Sequence, residues 1–261
     1  MGDGSPGLLA ARLELPGTRL AEPSRTGPKG VAMWPERPIY RNRAEAGERL
    51  AALLLPYRGE RPVVLAAPRG GVPVGAVVAS RLDAPLDVVL ARKLPVPGNP
   101  ELGFGAVAES GALVLNEEVI QIAGIGSDEI EAIVAEVRRE VAERARRYRQ
   151  ARPPIGLEDR TAILVDDGLA TGVTMEACVL EARSRRARRV VAAAPVSSTE
   201  AASRVGRQAD DFVCPLVEPV FVAVGAYYLD FPQLTDDDVV RLLEAARRRA
   251  GEATPSPPPP P

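Results

Sequence analysis

Two adjacent carboxylates, Asp166 and Asp167, close the apolar run Ile163-Leu164-Val165 and are followed at once by Gly168-Leu169-Ala170-Thr171-Gly172-Val173-Thr174. The glycines let backbone N–H groups converge on one point without interference from a Cβ. A helical pattern follows from about Met175 to Ala187, so a positive helix end faces the same point. The Thr171 and Thr174 hydroxyls add donors. Such a cradle suits a phosphate, and the two carboxylates before it are placed to accept hydrogen bonds from sugar hydroxyls. A Walker A loop fits poorly, because no Gly-Lys-Ser/Thr ending is present.

Two further clusters carry anion-binding chemistry. Arg69-Gly70-Gly71 follows the short apolar strand expected over 62–67 and precedes a helix expected over 72–82. A glycine pair there allows close backbone approach to an anion. Arg92-Lys93 ends the strand expected over 86–91, and two cations at a strand end can meet a pyrophosphate. The stretch from Leu94 to Pro100 is too rich in Pro, Gly and Asn for a helix and reads as a functional loop. The chain has no histidine. That excludes Ser-His and Cys-His catalysis and leaves acid–base work to Asp, Glu, Lys or Tyr. Any metal would be oxygen-bound and magnesium-like.

The 163–174 segment resembles the phosphoribosyl pyrophosphate (PRPP) motif of the type I phosphoribosyltransferases: apolar strand, Asp-Asp, Gly, a variable residue, Ala-Thr-Gly, then Thr. The resemblance implies a mostly parallel α/β sheet flanked by helices, with a small C-terminal hood over the site. It implies transfer of ribose 5-phosphate from Mg-PRPP to an acceptor with release of pyrophosphate. Asp166 and Asp167 would hold the ribose and residues 168–174 its 5′-phosphate. Arg69, Gly70 and Gly71 are similar to the family's pyrophosphate loop, and Arg92-Lys93 to the pair before the mobile loop of adenine phosphoribosyltransferases. The cofactor implied is Mg²⁺, held through PRPP, with Asp166 and Asp167 as candidate ligands. Asp167, Glu109 and Tyr228 stay open as general bases.

The elements that must position these groups alternate between strand and helix, which implies crossover connections and ligand loops gathered at the carboxyl ends of parallel strands. An amphipathic helix is expected over 43–55. A hairpin is expected from 104–108 and 112–115 around Glu109-Ser110-Gly111. A long helix capped by Ser127 runs from 128 to about 150, with Ile130, Ile133, Val134, Val137 and Val141 as its apolar stripe. It reads as a helical insertion at about 116–150. Its arginines alternate with glutamates, as on a salt-laced exposed face. Further strands are expected over 188–195 and 212–216, with a helix between them starting at Ser197-Ser198-Thr199. Residues 1–37 read as a disordered tail, 38–216 as the core, 217–250 as hood and C-terminal helix, and 251–261 as a proline-rich tail. The hood segment holds Tyr227, Tyr228 and Phe231, which are either an acceptor-stacking platform or packing for the last helix.

Composition bounds the rest. With 33 Lys and Arg against 35 Asp and Glu, nothing marks a nucleic-acid or membrane-surface binder. No apolar run approaches a membrane span, and no signal peptide is visible. Cys178 and Cys214 give no disulfide framework, so a cytoplasmic location is the simple expectation. The partners expected are PRPP and a small-molecule acceptor, a nitrogenous base or amine, with a homodimer left open. A non-catalytic, PRPP-sensing regulator needs the same loop and stays as the alternative. A phosphohydrolase using Asp166 lacks an Asp-x-Asp arrangement.

Overall fold

The computed structural model describes residues 39–251. The tail expected at 1–37 lies outside the described residues, as does the tail expected at 251–261 apart from Gly251. In chain order the elements are α1 (Arg43–Leu54), β1 (Pro62–Ala66), α2 (Gly71–Leu82), β2 (Leu86–Val88), β3 (Ala91–Val96), β4 (Asn99–Ala108) and β5 (Leu113–Leu115). There follow α3 (Glu117–Ala123), α4 (Ser127–Ala151), β6 (Thr161–Val165), α5 (Val173–Ser184), β7 (Arg189–Ala193) and β8 (Val196–Ser198). The last are α6 (Thr199–Gly206), β9 (Asp211–Val213), β10 (Leu216–Glu218) and α7 (Asp236–Arg249).

The main sheet is parallel throughout, in the order β2-β1-β6-β7-β9. β1 and β6 are buried along their whole length, which is why Pro62-Val63-Val64-Leu65-Ala66 and Thr161-Ala162-Ile163-Leu164-Val165 read as continuous rather than alternating apolar runs. From β1 the chain moves outward to β2, then returns to place β6 on the other side of β1. The order therefore reverses between β1 and β6. Loops leaving the carboxyl ends of two such strands diverge and leave a crevice, which is where ligands bind in open α/β sheets. The loops in question are 67–70 and 166–172, which carry two of the three clusters singled out above.

Several boundaries differ from expectation for physical reasons. The strand expected over 86–91 stops at Val88, and Ala91 opens β3 in a separate antiparallel sheet, β3-β4-β5. Arg92 and Lys93 thus lie within a β-ribbon, not at a core strand's end, and the expected loop after them is the arm of that ribbon. The strand expected over 212–216 is two short strands. Pro215 lacks an N–H and divides β9 in the main sheet from β10, which pairs with β8. Ser127 begins α4 without capping it; Gly126 holds the cap position and makes no side-chain cap bond. The insertion expected at about 116–150 opens with a separate short helix, α3, capped by the Asn116 side chain and stopped by Gly124 at φ +66°. Thr235 and Asp238 form a full capping box on α7. No helix among the described residues is long and apolar enough to cross a membrane.

α4 is tied to the core by a buried charge cluster. Asp87 on β2, fully buried, accepts from Arg149 Nη1 at 2.5 Å and from the Ile155 amide at 3.0 Å. The same guanidinium clasps Glu109 at the base of the ribbon through Nε at 3.1 Å and Nη2 at 2.7 Å. One arginine thus fastens the insertion, the core sheet and the ribbon together.

Candidate active site

The crevice is built by backbone contact between its two loops. A Cβ on Gly71 would lie 2.6 Å from the Val165 carbonyl oxygen and 2.9 Å from Asp166 Cα, while one on Gly70 would lie 2.0 Å from Asp167 Oδ2. The Ala67 amide donates to the Val165 carbonyl at 2.8 Å, extending the sheet pairing up to the turn. The Pro68–Arg69 peptide is cis. Arg69 stands exposed at the rim.

The other loop is strapped down on its far side. Leu169 pairs through both backbone groups with the Val196–Ser198 strand, at 2.9 Å each, and Ser198 Oγ donates to the Ala170 carbonyl at 2.6 Å. Gly168 lies so close to Val224 that a Cβ would sit 2.6 Å from its Cγ1. Gly172 occupies the cap position of α5 with φ +75°, a left-handed conformation that favours glycine. Ala170 and Thr171 are exposed. Among the described residues no acceptor takes the amides of residues 170–174, and neither Thr171 nor Thr174 hydroxyl is engaged. These are oriented donors at a helix start, which is what a phosphate needs.

The carboxylates differ in surroundings. Asp167 is buried and its Oδ2 accepts from Arg43 Nε at 2.8 Å. Asp166 is partly exposed, and its Oδ1 accepts the Asp167 amide at 2.8 Å. Burial, and then the charge of Asp167, pushes the Asp166 carboxyl well above the usual carboxylate range. Burial also raises Asp167, opposed by the Arg43 charge.

A family model described as the phosphoribosyl transferase domain matches residues 39–232, nearly the whole fold just described. The chain belongs to that family. The crystal structure of TT1426 from Thermus thermophilus is 46% identical to it, with a TM-score of 0.68, covering 79% of this chain and 98% of that one. Two Mycobacterium tuberculosis proteins, from strains CDC 1551 and H37Rv and provisionally named phosphoribosyl transferases, are 42% identical over 151 residues. That stretch is 58% of this chain and 34% of those relatives, so the match spans about a third of their length.

Within this phosphoribosyl transferase domain the remaining candidates separate. Arg92 and Lys93 stand on opposite faces of the ribbon. Arg92 pairs with Glu140 of α4 at 2.6 Å. Lys93 is the cross-strand partner of Ala106, which packs against Val173 and Ala177 in the first turns of α5. Partners across a ladder share a face, so Lys93 stands on the side of α5 and Arg92 on the side of α4.

The aromatic trio is interior packing with no ring face left open to a stacked base. Tyr227 is 2% exposed and stacks on Phe221 at 5.2 Å. Tyr228 lies between Tyr40 at 5.5 Å and Phe231 at 4.9 Å. Phe231 has Arg43 over its other face at 3.7 Å. Of the alternatives left open above, packing is therefore the one this geometry supports. The open general bases are also engaged: Glu109 by Arg149, and Tyr228 by donating its hydroxyl to the Asp167 carbonyl at 2.5 Å. Burial raises the Tyr228 hydroxyl far above its ordinary value. Both cysteines are free, and burial pushes both thiols up, Cys214 to about 12, so neither is a thiolate at neutral pH.

Arg43 escaped the sequence reading, although a signal was present. It lies on the same helical face as Ala46, Leu50 and Leu54, the buried stripe of α1. An arginine in register with such a stripe needs a buried partner, and here the partner is the second acid of the pair.

Proposed function

We propose that this chain transfers ribose 5-phosphate from Mg-PRPP to a nitrogenous base or amine and releases pyrophosphate. The observation that carries the reading is the contact of Gly70 and Gly71 with Asp166 and Asp167 beside an uncommitted row of amides at 170–174. A pyrophosphate loop, a sugar-binding carboxylate and a phosphate cradle then meet in one crevice, in the order in which PRPP carries the matching groups.

In this mechanism the 170–174 amides and the start of α5 hold the 5′-phosphate, Asp166 orients the ribose, and Arg69 and Lys93 face the leaving pyrophosphate. As the bond to pyrophosphate breaks, C1′ gains cationic character, and fixed charges on both ends of PRPP stabilise that separation. The described residues hold no cluster of three or more carboxylate, His or Cys side chains for a metal. One partly exposed carboxylate at the crevice fits Mg²⁺ arriving with substrate oxygens, Asp166 being its protein ligand. Bound there, the ion would neutralise charge on the leaving group. Each of the general bases left open by the sequence is engaged, Asp167 by Arg43, Glu109 by Arg149 and Tyr228 by the Asp167 carbonyl, which suits an acceptor already nucleophilic as a neutral amine.

Pyrophosphate release from Mg-PRPP, measured across a panel of purines, pyrimidines and amines, tests the reading. Release that depends on one acceptor supports it. Tight PRPP binding with no release for any acceptor would favour the regulatory alternative, and no PRPP binding would end both.

A further inference from the structure

We propose that β5 is the seam of a homodimer, in which the open edge of the β3-β4-β5 sheet pairs antiparallel with the same edge of a second copy of this chain. β5 is the last strand of that sheet and pairs on one side only, with β4. The ladder begins where the Ala108 amide donates to the Ala112 carbonyl at 2.8 Å and passes through the Ala106–Val114 pair. It ends where the Asn116 amide donates to the Phe104 carbonyl at 2.7 Å. Backbone groups alternate in direction along a strand, so residues 112, 114 and 116 bond β4, and residues 113 and 115 turn theirs to the free edge. Outside the ladder, none of the backbone bonds among the described residues engages Leu113 or Leu115. The side chains on this edge are apolar. Leu113 and Leu115 are 37% and 38% exposed, and Ile122 on the helix that follows is 80% exposed. An open edge carrying apolar side chains is a template for another strand.

Symmetry and charge argue that the occupant is a second copy. Two antiparallel copies of one edge are self-complementary about a two-fold axis. With the axis at Val114, Leu113 of each copy faces Leu115 of the other. Both residues turn amide and carbonyl outward, so each of these pairs exchanges both of its hydrogen bonds. An axis at Leu113 or at Leu115 would pair one of them with itself and set the other against residue 111 or 117, where the strand has ended. Leu113 and Leu115 share a face of the strand, so their side chains cluster across the axis. At three residues the edge is short, and contacts at its ends must contribute. The same register sets Gly111 of one copy opposite Glu117 of the other. Arg138 of α4 donates to the Gly111 carbonyl through Nη2 at 3.4 Å and is exposed. Glu117 and Glu118 are exposed acids in the first turn of α3. Opposite charges therefore meet at both ends of the seam, which favours this pairing over a neutral or acidic partner strand.

The test uses the full chain, with two readouts. Sedimentation velocity is run from low to high micromolar concentration, and amide hydrogen exchange is resolved at Leu113 and Leu115 over the same range. A dimer should form, and both amides should exchange more slowly as it does. Leu113→Pro removes an outward donor from each copy and spares the β4 ladder, to which residue 113 does not donate. It should weaken dimerisation by about tenfold or more. Arg138→Glu should weaken it by roughly threefold to tenfold, and adding Glu117→Arg should restore it. Should Leu113→Pro fail to fold, the charge swap carries the measurement. A chain that stays monomeric over the whole range would overturn the proposal. So would a dimer that Leu113→Pro leaves equally tight, because its interface must then lie elsewhere. Amides protected to the same degree at every concentration would mean that another segment of the same chain covers the edge, and that result overturns it too.

Discussion

Gly71 touches the Asp166 backbone so closely that an added Cβ would lie 2.9 Å from Asp166 Cα and 2.6 Å from the preceding carbonyl oxygen. Both obstacles are backbone, so neither can swing away. Gly71→Ala should therefore force the two loops apart, at a cost of about 1–3 kcal/mol typical of overpacking. Each kcal/mol would lower Tm by about 2–4 °C in a chain this size. Both ribose 5-phosphate and pyrophosphate should bind more weakly. A Gly71→Ala protein with native Tm and native affinities would show that the loops have slack.

Gly172 presents a different constraint. Its φ of +75° costs an L-residue about 1–2 kcal/mol, and a Cβ there would lie 3.1 Å from Ala201 Cα. Gly172→Val adds bulk at the head of α5, among the amides assigned to the 5′-phosphate. Affinity for ribose 5-phosphate should fall by at least about tenfold, with pyrophosphate affinity less affected. Equal losses for the two ligands would contradict this placement.

The fold was legible where it is local. Residues 163–174 carry strand, turn and helix start within one stretch, so the apolar run and the glycine spacing sufficed to mark all three. The parallel sheet followed from buried apolar runs alternating with helical patterns. What stayed hidden depends on pairing across distance. Arg43 and Asp167 meet across 124 positions. The aromatic segment 227–231 could not be divided between platform and packing until Tyr40 and Arg43 were seen against it. The faces of Arg92 and Lys93 depend on a ribbon register with shifts between Leu94 and Val96, and no alternation in Leu94-Pro95-Val96-Pro97 announces it.

Asp166 should cost the fold stability at neutral pH. Burial raises its folded carboxyl above the unfolded value of about 3.9. The folded state then holds the proton to higher pH than the unfolded state, so this group's contribution worsens as pH rises from about 4 through the raised value. Asp166→Asn removes that penalty. Its Tm should exceed the native one at pH 7, and the gain should shrink as pH falls and vanish below about pH 3, where the carboxyl is neutral in both the folded and unfolded states. A native-like Tm across that range, or a gain that grows on acidification, would contradict the sign of the shift.

Arg92 and Lys93 look equivalent in sequence and differ in their surroundings. The Arg92 and Glu140 side chains are 40% and 39% exposed, so their ion pair is worth about 0–1 kcal/mol and is easily screened. Its reach is taken up by α4, on the face of the ribbon turned from α5. Lys93 stands on the other face, its stem laid over Gly103, where a Cβ would be 2.4 Å from Lys93 Cγ. That glycine lets the chain pass flat along the ribbon toward the side where Ala106 meets α5. Lys93→Ala should then weaken pyrophosphate by about tenfold while changing ribose 5-phosphate less, the loss expected when one charge-assisted contact to the leaving group is removed. Arg92→Ala should leave both affinities within about twofold and move Tm by no more than a surface pair allows. Calorimetry with each ligand on the two single variants decides it. A larger pyrophosphate loss in Arg92→Ala than in Lys93→Ala would mean that the ribbon turns its other face to the site when substrate binds.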